Sequence, residues 1–304
     1  MTTANPTGPP PRQPGQDVTA SVTAGPGEWT PTMSALRVFT SPGRVEDGWL
    51  AVAAAELRAA ERSRIPAAPV KQRCPDLALA QAYRIQWTNV EARIIGGARI
   101  AGHKVGLTSI AMQQQMGVDE PDSGVLLDDM LVPSGSELNL GDLVVPRVET
   151  EIGFRLGGPL RGPDIDADEA RDAVCEVFLA LEVIDTRYGA WQIALEDSVA
   201  DNASAARAVV GAAVPLRPCL DLCAEELTLS VNGETAATGE GRAVLGNPLN
   251  AVAWLARRLG DYGAGLRAGD LVLPGSVHAS LPFEAGSEIR ASSPHLPPVC
   301  LRIA

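Results

Sequence analysis

The chain lacks any apolar run long enough to cross a membrane, and its N-terminus has no charged-then-apolar leader pattern. A cytoplasmic protein that makes no membrane contact is the expectation. Basic residues are scarce: 25 Lys and Arg face 37 Asp and Glu, for a formal charge of −12. A surface of that sign repels nucleic-acid backbones and anionic membranes, so neither is expected as a partner. A small anionic substrate stays open, because a bound metal reverses the field locally. Histidine is rarer still, and His103, His278 and His295 are too dispersed to form a ligand set. Five cysteines, an odd number scattered along a long chain, read as reduced thiols rather than a disulfide framework. Cys219 and Cys223 have no companion Cys or His at zinc spacing. There is no Gly-x-Ser-x-Gly elbow, and Gly239-Glu240-Gly241 with Gly246 lacks the context of a phosphate or dinucleotide loop. No internal repeat is found.

What is present is a chain of 304 residues, 45% apolar, enough for a substantial core. Residues 1–44 form a separate zone, with Pro6, Pro9, Pro10, Pro11, Pro14, Pro26, Pro31 and Pro42 among Thr, Gly and Ser. Such a composition cannot bury enough apolar surface to offset its ordering entropy, so a disordered tail is expected. Met33 offers an alternative start. Residues 45–98 read as a helical N-terminal part. One helix is expected over Gly48 to Arg58, and another from a start signal at Pro75-Asp76 to Ile94. Residues 99–304 read as a β-rich domain in which a few helices interrupt the strands. A strand over Ile100–Leu107 leads to a short helix around Ile110 to Met116. Turns are expected at Pro121–Gly124, Pro133–Gly135 and Asn232-Gly233. Helices are expected from Ala167 to Cys175 after Asp166, and from Leu249 to Leu259 after Asn247-Pro248. Strands follow at Asp270–Leu273 and Ser287–Ala291. The fold class is α+β.

The segment Val145-Pro146-Arg147-Val148-Glu149-Thr150-Glu151-Ile152-Gly153-Phe154 alternates apolar and polar residues. In an extended chain Glu149 and Glu151 project from one face. Glu182 lies in a second such segment, Phe178-Leu179-Ala180-Leu181-Glu182-Val183-Ile184. Each glutamate alone fits a solvated strand face. Together, in Val/Ile/Leu-rich settings, they also fit a metal site, because clustered like charges call for a cation. Three carboxylates without His or Cys suit a hard ion, Mg2+ or Mn2+, with positions left for water and substrate.

Lys104 is flanked by Gly102, Val105 and Gly106 in an apolar strand. It fits either the surface or a cleft, where it would pair an anionic group or stabilise an enolate. On composition Asp122 is a turn residue, and Asp201-Asn202-Ala203-Ser204 is a cap or turn cluster.

The runs Gly102–Ser109 and Met112–Gly124 resemble the 2-keto-4-pentenoate hydratases. These are grouped with 4-oxalocrotonate decarboxylases in the fumarylacetoacetate hydrolase superfamily. The likeness continues through Pro146–Ile152, Ala180–Arg187, Val199–Ser204 and Leu245–Ala256. It covers roughly residues 46 to 290 in order. The resemblance implies a mixed β-roll or sandwich core with Mg2+ or Mn2+ on Glu149, Glu151 and Glu182. It implies active-site roles for Lys104 and Asp122, a place near the substrate for Ser204, and assembly as a homo-oligomer. The implied substrate is a small 2-oxo or 2-hydroxy-dienoic acid.

The reaction expected first is hydration of a 2-hydroxypenta-2,4-dienoate-type acid. Decarboxylation of a 4-oxalocrotonate-type acid is second, since both pass through the same stabilised enolate. Acylpyruvate-type C–C hydrolysis, a biosynthetic tailoring role and a metal-binding oligomeric scaffold are the other readings. Two stretches depart from the family pattern. Leu273-Pro274-Gly275-Ser276-Val277-His278 stands where Leu-Thr-Gly is usual, and Ser292–Val299 replaces a Gly-Leu-Gly-Ser-Val run.

Overall fold

Strong helix formers with apolar residues at helical spacing in Gly48–Ser63 build the first helix, α1. It buries Leu50, Ala53, Ala54, Leu57 and Ala60 along one face. The computed structural model describes Met1 and residues 48–109, 113–114 and 118–304. The expected Pro-rich tail after Met1, and most of the expected helix at 110–116, lie outside the described residues. Two more helices follow, α2 (Val70–Arg73) and α3 (Leu79–Ile95). The buried faces of α1 and α3 share one apolar cluster with Tyr188, Val199 and Ala200, which lie more than ninety residues later. The helices are thereby fastened to the segment that carries Ser198 and Asp201.

The strands begin with β1 (Ile100–Gly106), β2 (Asp122–Leu127), β3 (Leu131–Pro133) and β4 (Glu137–Leu138). The two longest strands, β5 (Pro146–Leu156) and β6 (Val174–Asp185), flank α4 (Ala167–Ala173). Helix α5 (Leu195–Ala200) leads through a 3-10 turn, Asn202–Ser204, into β7 (Ala205–Val210) and β8 (Val214–Pro215). The hairpin of β9 (Glu226–Val231) and β10 (Glu234–Glu240) precedes α6 (Pro248–Asp261). The chain ends with β11 (Leu271–Leu273), β12 (Leu281–Pro282), β13 (Glu288–Ser292) and β14 (Val299–Ile303).

The strands form two mixed sheets. A nine-stranded sheet has the order β2-β1-β11-β5-β6-β7-β3, with β12 added to β5 and β8 to β6. A five-stranded sheet runs β10-β9-β13-β14-β4. The largest core lies where the inner faces meet. Val148, Ile152, Phe154, Leu179, Leu181 and Val183 of β5 and β6 pack there with Leu227, Leu229, Ile289 and Leu301 of the second sheet. Helix α6 closes it with Leu249, Val252, Ala253 and Ala256, an i, i+3, i+4, i+7 stripe.

Local chemistry explains several boundaries. The Asp166 side chain accepts the Asp168 and Glu169 N–H groups, which starts α4. Asn247 does the same for Leu249 ahead of α6, with Pro248 at the first helical position. Asn232 and Gly233, at φ 53° and 83°, make the tight hairpin turn. Helix α4 ends at Ala173 rather than Cys175, because the β-branched and aromatic run from Val174 already belongs to β6.

The turn expected at Pro121–Gly124 is corrected. Residues 122–124 are already strand, with Asp122 opposite Gly106 and Gly124 opposite Lys104. Gly124 serves close approach rather than chain reversal, since a Cβ there would collide with the Asn202 backbone.

Candidate metal centre and active site

Strands β5 and β6 pair in unbroken antiparallel register from Pro146↔Asp185 to Glu151↔Ala180, with Glu149 directly opposite Glu182. Cross-strand partners share a face, as do residues two apart, so Glu149, Glu151 and Glu182 converge. One carboxylate oxygen from each lies within 4.8 Å of the others. The three side chains are 8%, 0% and 1% exposed. The solvated-strand reading of these glutamates does not fit that burial.

Their hydrogen bonding is incomplete. Glu151 Oε2 accepts the Gly275 N–H at 2.7 Å. Gly275 has φ +118°, and a Cβ there would run into Thr108, so the donor approaches as it does because the residue is glycine. Glu151 Oε1 and both oxygens of Glu182 are buried without a hydrogen-bond partner among the described residues. Each such orphan costs about 1–3 kcal/mol unless something else binds it.

Lys104, 4% exposed, projects from β1 into this cluster. Its Nζ lies 3.4 Å from Glu182 Oε2 and donates to the Ala203 carbonyl at 3.1 Å. Asp122, at the start of β2, is also buried and accepts a hydrogen bond from Ser198 Oγ at 3.1 Å. Its carboxyl lies against Gly106, where any Cβ would collide with it. Of the glycines beside Lys104, Gly106 thus makes room for a carboxylate and Gly102 for the Leu271 backbone.

Electrostatics follow from the burial. Desolvation pushes Glu149 up to about 7, with Lys104 opposing and Glu182 adding to the rise. Glu151 is held well above the usual carboxylate range by burial and by the charges of Glu182 and Glu149. Burial also raises Glu182 and Asp122, against the pull of Lys104 in both cases. For Lys104 burial works against the charge, but Glu182, Asp122, Glu149 and Glu151 outweigh it, and its ammonium is held above its ordinary range. One ammonium faces four carboxyl groups. The donor set is all oxygen, with three buried acceptor atoms that accept no hydrogen bond and only one of them ion-paired, and this fits a hard divalent cation.

The structure brings together five of the six residues singled out in the sequence: Lys104, Asp122, Glu149, Glu151 and Glu182. The sixth, Ser204, is buried at the end of the Asn202–Ser204 turn, one residue from the carbonyl that holds Lys104. Sequence reasoning missed Ser198, Gly275 and the Ala203 carbonyl. Their contacts span 76, 124 and 99 positions, and no local pattern marks them. Gln86 is another such case. From α3 it donates to the Ser123 and Val199 carbonyls at 2.9 and 3.0 Å, and so ties β2 to α5 beside Asp122 and Ser198.

Fold and site together define a class: an α+β protein whose central β-ribbon carries a buried carboxylate cluster beside a buried lysine. Residues 100–304 match the fumarylacetoacetate (FAA) hydrolase C-terminal family, and the chain belongs to the FAA hydrolase family, as the resemblance implied. A 2-keto-4-pentenoate hydratase of Paraburkholderia xenovorans (strain LB400) is 44% identical over 235 residues, 77% of this chain and 87% of the relative. A 2-hydroxyhexa-2,4-dienoate hydratase of Comamonas testosteroni is 37% identical over 74% of this chain and 86% of its own. Among solved structures, 4-oxalocrotonate decarboxylase from Pseudomonas putida G7, complexed with magnesium and adipate, superposes with a TM-score of 0.82 at 33% identity. The match covers 84% of this chain and 97% of that one. No helix among the described residues is long and apolar enough to cross a membrane.

Proposed function

We propose that this protein is a divalent-metal-dependent hydratase, a hydro-lyase that adds water to a 2-hydroxypenta-2,4-dienoate-type acid. The observation that carries the reading is the set of buried oxygens on Glu151 and Glu182 that accept no hydrogen bond, one of them ion-paired with Lys104, facing Glu149 and next to Asp122. Glu149, Glu151 and Glu182 would hold the cation, Mg2+ or Mn2+, and a buried all-oxygen set of this kind favours neither zinc nor copper. When bound, the cation supplies positive charge that stabilises negative charge on the oxygens of a 2-oxo acid.

The protein's own groups then divide the proton work. The hydroxyl proton leaves the dienol and C5 gains one, giving an enone whose C3=C4 bond is conjugated to the 2-oxo group. Water adds across that bond, oxygen to C4 and hydrogen to C3, and the product is a 4-hydroxy-2-oxo acid. Lys104 keeps its charge in a buried setting, so its ammonium offsets the enolate character that develops on the substrate. Asp122 has a carboxyl raised above its ordinary range by burial, the direction that suits a group that takes and returns a proton. Ser198 orients it through the 3.1 Å hydrogen bond. The Gly275 N–H fixes Glu151.

The likeness to the 4-oxalocrotonate decarboxylase supports a second reading, loss of CO2 from a dicarboxylic 2-oxo acid through the same stabilised enolate. Incubation of the Mg2+- or Mn2+-loaded protein with each acid separates the two. Loss of dienoate absorbance with formation of a 4-hydroxy-2-oxo acid is expected. An unchanged dienoate together with CO2 release from the oxalocrotonate would replace the hydratase by the decarboxylase.

A further inference from the structure

The turn Asn202–Ser204 has three consecutive non-glycine residues in the left-handed region, at φ 57°, 50° and 56°. L-residues visit that region singly and at a cost, so a run of three persists only where the surroundings over-determine it. Two clamps do so here. The Asn202 side chain behaves as a strand surrogate. Its Oδ1 accepts the Val125 N–H at 2.8 Å and its Nδ2 donates to the Val125 carbonyl at 2.9 Å. The buried Arg187 grips the chain on both sides of the turn. It pairs with Asp201 through Nε, donates its backbone N–H to the Asp201 carboxylate at 2.9 Å, and donates from its guanidinium to the Ala205 carbonyl at 3.1 Å.

Ala203 and Ser204 are buried, while the Asn202 side of the turn borders open space. A cavity of about 640 Å³ is lined there by Asp201, Asn202, Arg187 and Arg207. In front, the glycine at 124 lets the Asn202 backbone and the Lys104 stem approach closely; a Cβ there would lie 3.2 Å from Lys104 Cγ and collide with the Asn202 carbonyl. The product of all this is one contact, the Ala203 carbonyl accepting Lys104 Nζ at 3.1 Å. Without it, the ammonium would be drawn wholly towards the carboxylates.

We infer that the left-handed turn is a positioning device for Lys104 and that Asn202 is its positioning residue. The inference rests on the role proposed above for Lys104. Strain in the turn is exchanged for a fixed acceptor that keeps the ammonium aimed between Glu182 and Asp122. Arg187 is the poorer residue to test, since its loss would strand the buried Asp201 carboxylate.

The experiment uses the metal-loaded, full-length protein and compares wild type with Asn202→Gly and Asn202→Asp. Glycine keeps the left-handed conformation accessible and removes both bonds to Val125. Aspartate keeps the acceptor and loses the donor. Two quantities are read: the rate at which an amine-reactive reagent modifies Lys104, followed by peptide mass spectrometry, and kcat and KM with the dienoate. Asn202→Gly is expected to raise Lys104 modification about tenfold and lower kcat about tenfold, with KM within about threefold, as befits losing two part-buried hydrogen bonds. Asn202→Asp falls between. A folded Asn202→Gly protein with wild-type labelling and wild-type kcat would overturn the inference. If that variant fails to fold, wild-type values for Asn202→Asp would do the same. Labelling needs no turnover, so a protein inactive on every dienoate would sink the hydratase reading while the labelling comparison still decides this one.

Discussion

The two faces of the β5–β6 ribbon have the same backbone, register and depth, and opposite chemistry. One face presents Val148, Ile152 and Phe154 beside Leu179, Leu181 and Val183, each at most 1% exposed. The other presents Glu149, Glu151 and Glu182, at most 8% exposed. The apolar face needs no partner beyond close packing, and each side chain removed from water contributes about 1.5–3 kcal/mol. The acidic face is buried almost as completely, yet its carboxyls call for partners: Lys104, the Gly275 N–H and, in the function proposed above, a cation. A period of two separates these duties, so stability resides on one side of the ribbon and chemistry on the other.

Neighbouring substitutions on β6 should break the comparison cleanly. Glu182→Gln removes a proposed ligand and a charge with little change of volume. It should lower divalent-metal affinity and cut activity roughly a thousandfold, the scale of losing several kcal/mol of charge stabilisation, while the metal-free protein unfolds no earlier than wild type. Leu181→Ala, one residue away and facing the other side, should do the reverse. It is expected to cost about 2–5 kcal/mol of stability and leave metal affinity of the folded protein intact. Isothermal titration with Mn2+ and denaturant unfolding measure both. Full metal occupancy in Glu182→Gln would remove that residue from the ligand set.

Much of this division was legible before the fold was known, because alternation is a local property. The pattern from Val145 to Phe154 places Glu149 and Glu151 on one side whatever the strand pairs with. Helix starts at Asp166 and Asn247 were legible for the same reason: a cap is a contact between residues two or three apart. Asp122 was misread as a turn residue because Asp-Ser-Gly is turn-like in composition. Its place in β2 is decided by pairing with Gly106 and by the approach of Asn202, both of them tertiary contacts. The contacts of Ser198, Gly275 and Asn202 were not legible for a like reason: Asn202 and Gly275 stand in runs the sequence marks, but their partners arrive from distant positions.

The faces should also differ in how they respond to pH once the metal is removed. Glu149 is pushed up to about 7, and Glu151 and Glu182 are raised as well, whereas an unfolded glutamate titrates near about 4.3. Between those values the folded state holds protons that the unfolded state has released. The unfolded state therefore binds fewer protons, and stability falls as pH rises through the window, by about 1.4 kcal/mol per pH unit for each carboxyl involved. The apolar face contributes nothing to this slope. Denaturant midpoints in chelator, compared with midpoints in saturating Mn2+, isolate the effect: a falling trend from about pH 5 to 7 without metal, and a flatter one with it. A chelated protein whose stability climbed over that range would show that the carboxylates are not raised in the fold.

The smallest expected effect tests how far the acidic face extends beyond the ribbon. Asp122 lies on β2, separated from β5 by the two strands β1 and β11, yet it faces the same Lys104 and is raised by the same burial. Its hydrogen bond from Ser198 favours the charged form, so Ser198→Ala should raise the Asp122 carboxyl further. If Asp122 carries the proton, kcat should fall about three- to tenfold with KM nearly unchanged, as for one lost hydrogen bond to a charged group. The pH–rate limb that belongs to Asp122 should move upward, and Ser198→Thr, which keeps the hydroxyl, should restore both. A structural role alone would lower stability without moving that limb. An unmoved pH profile in a folded Ser198→Ala protein would therefore confine the chemistry to Lys104 and the β5–β6 ribbon, and Asp122 would join the residues that only shape the site.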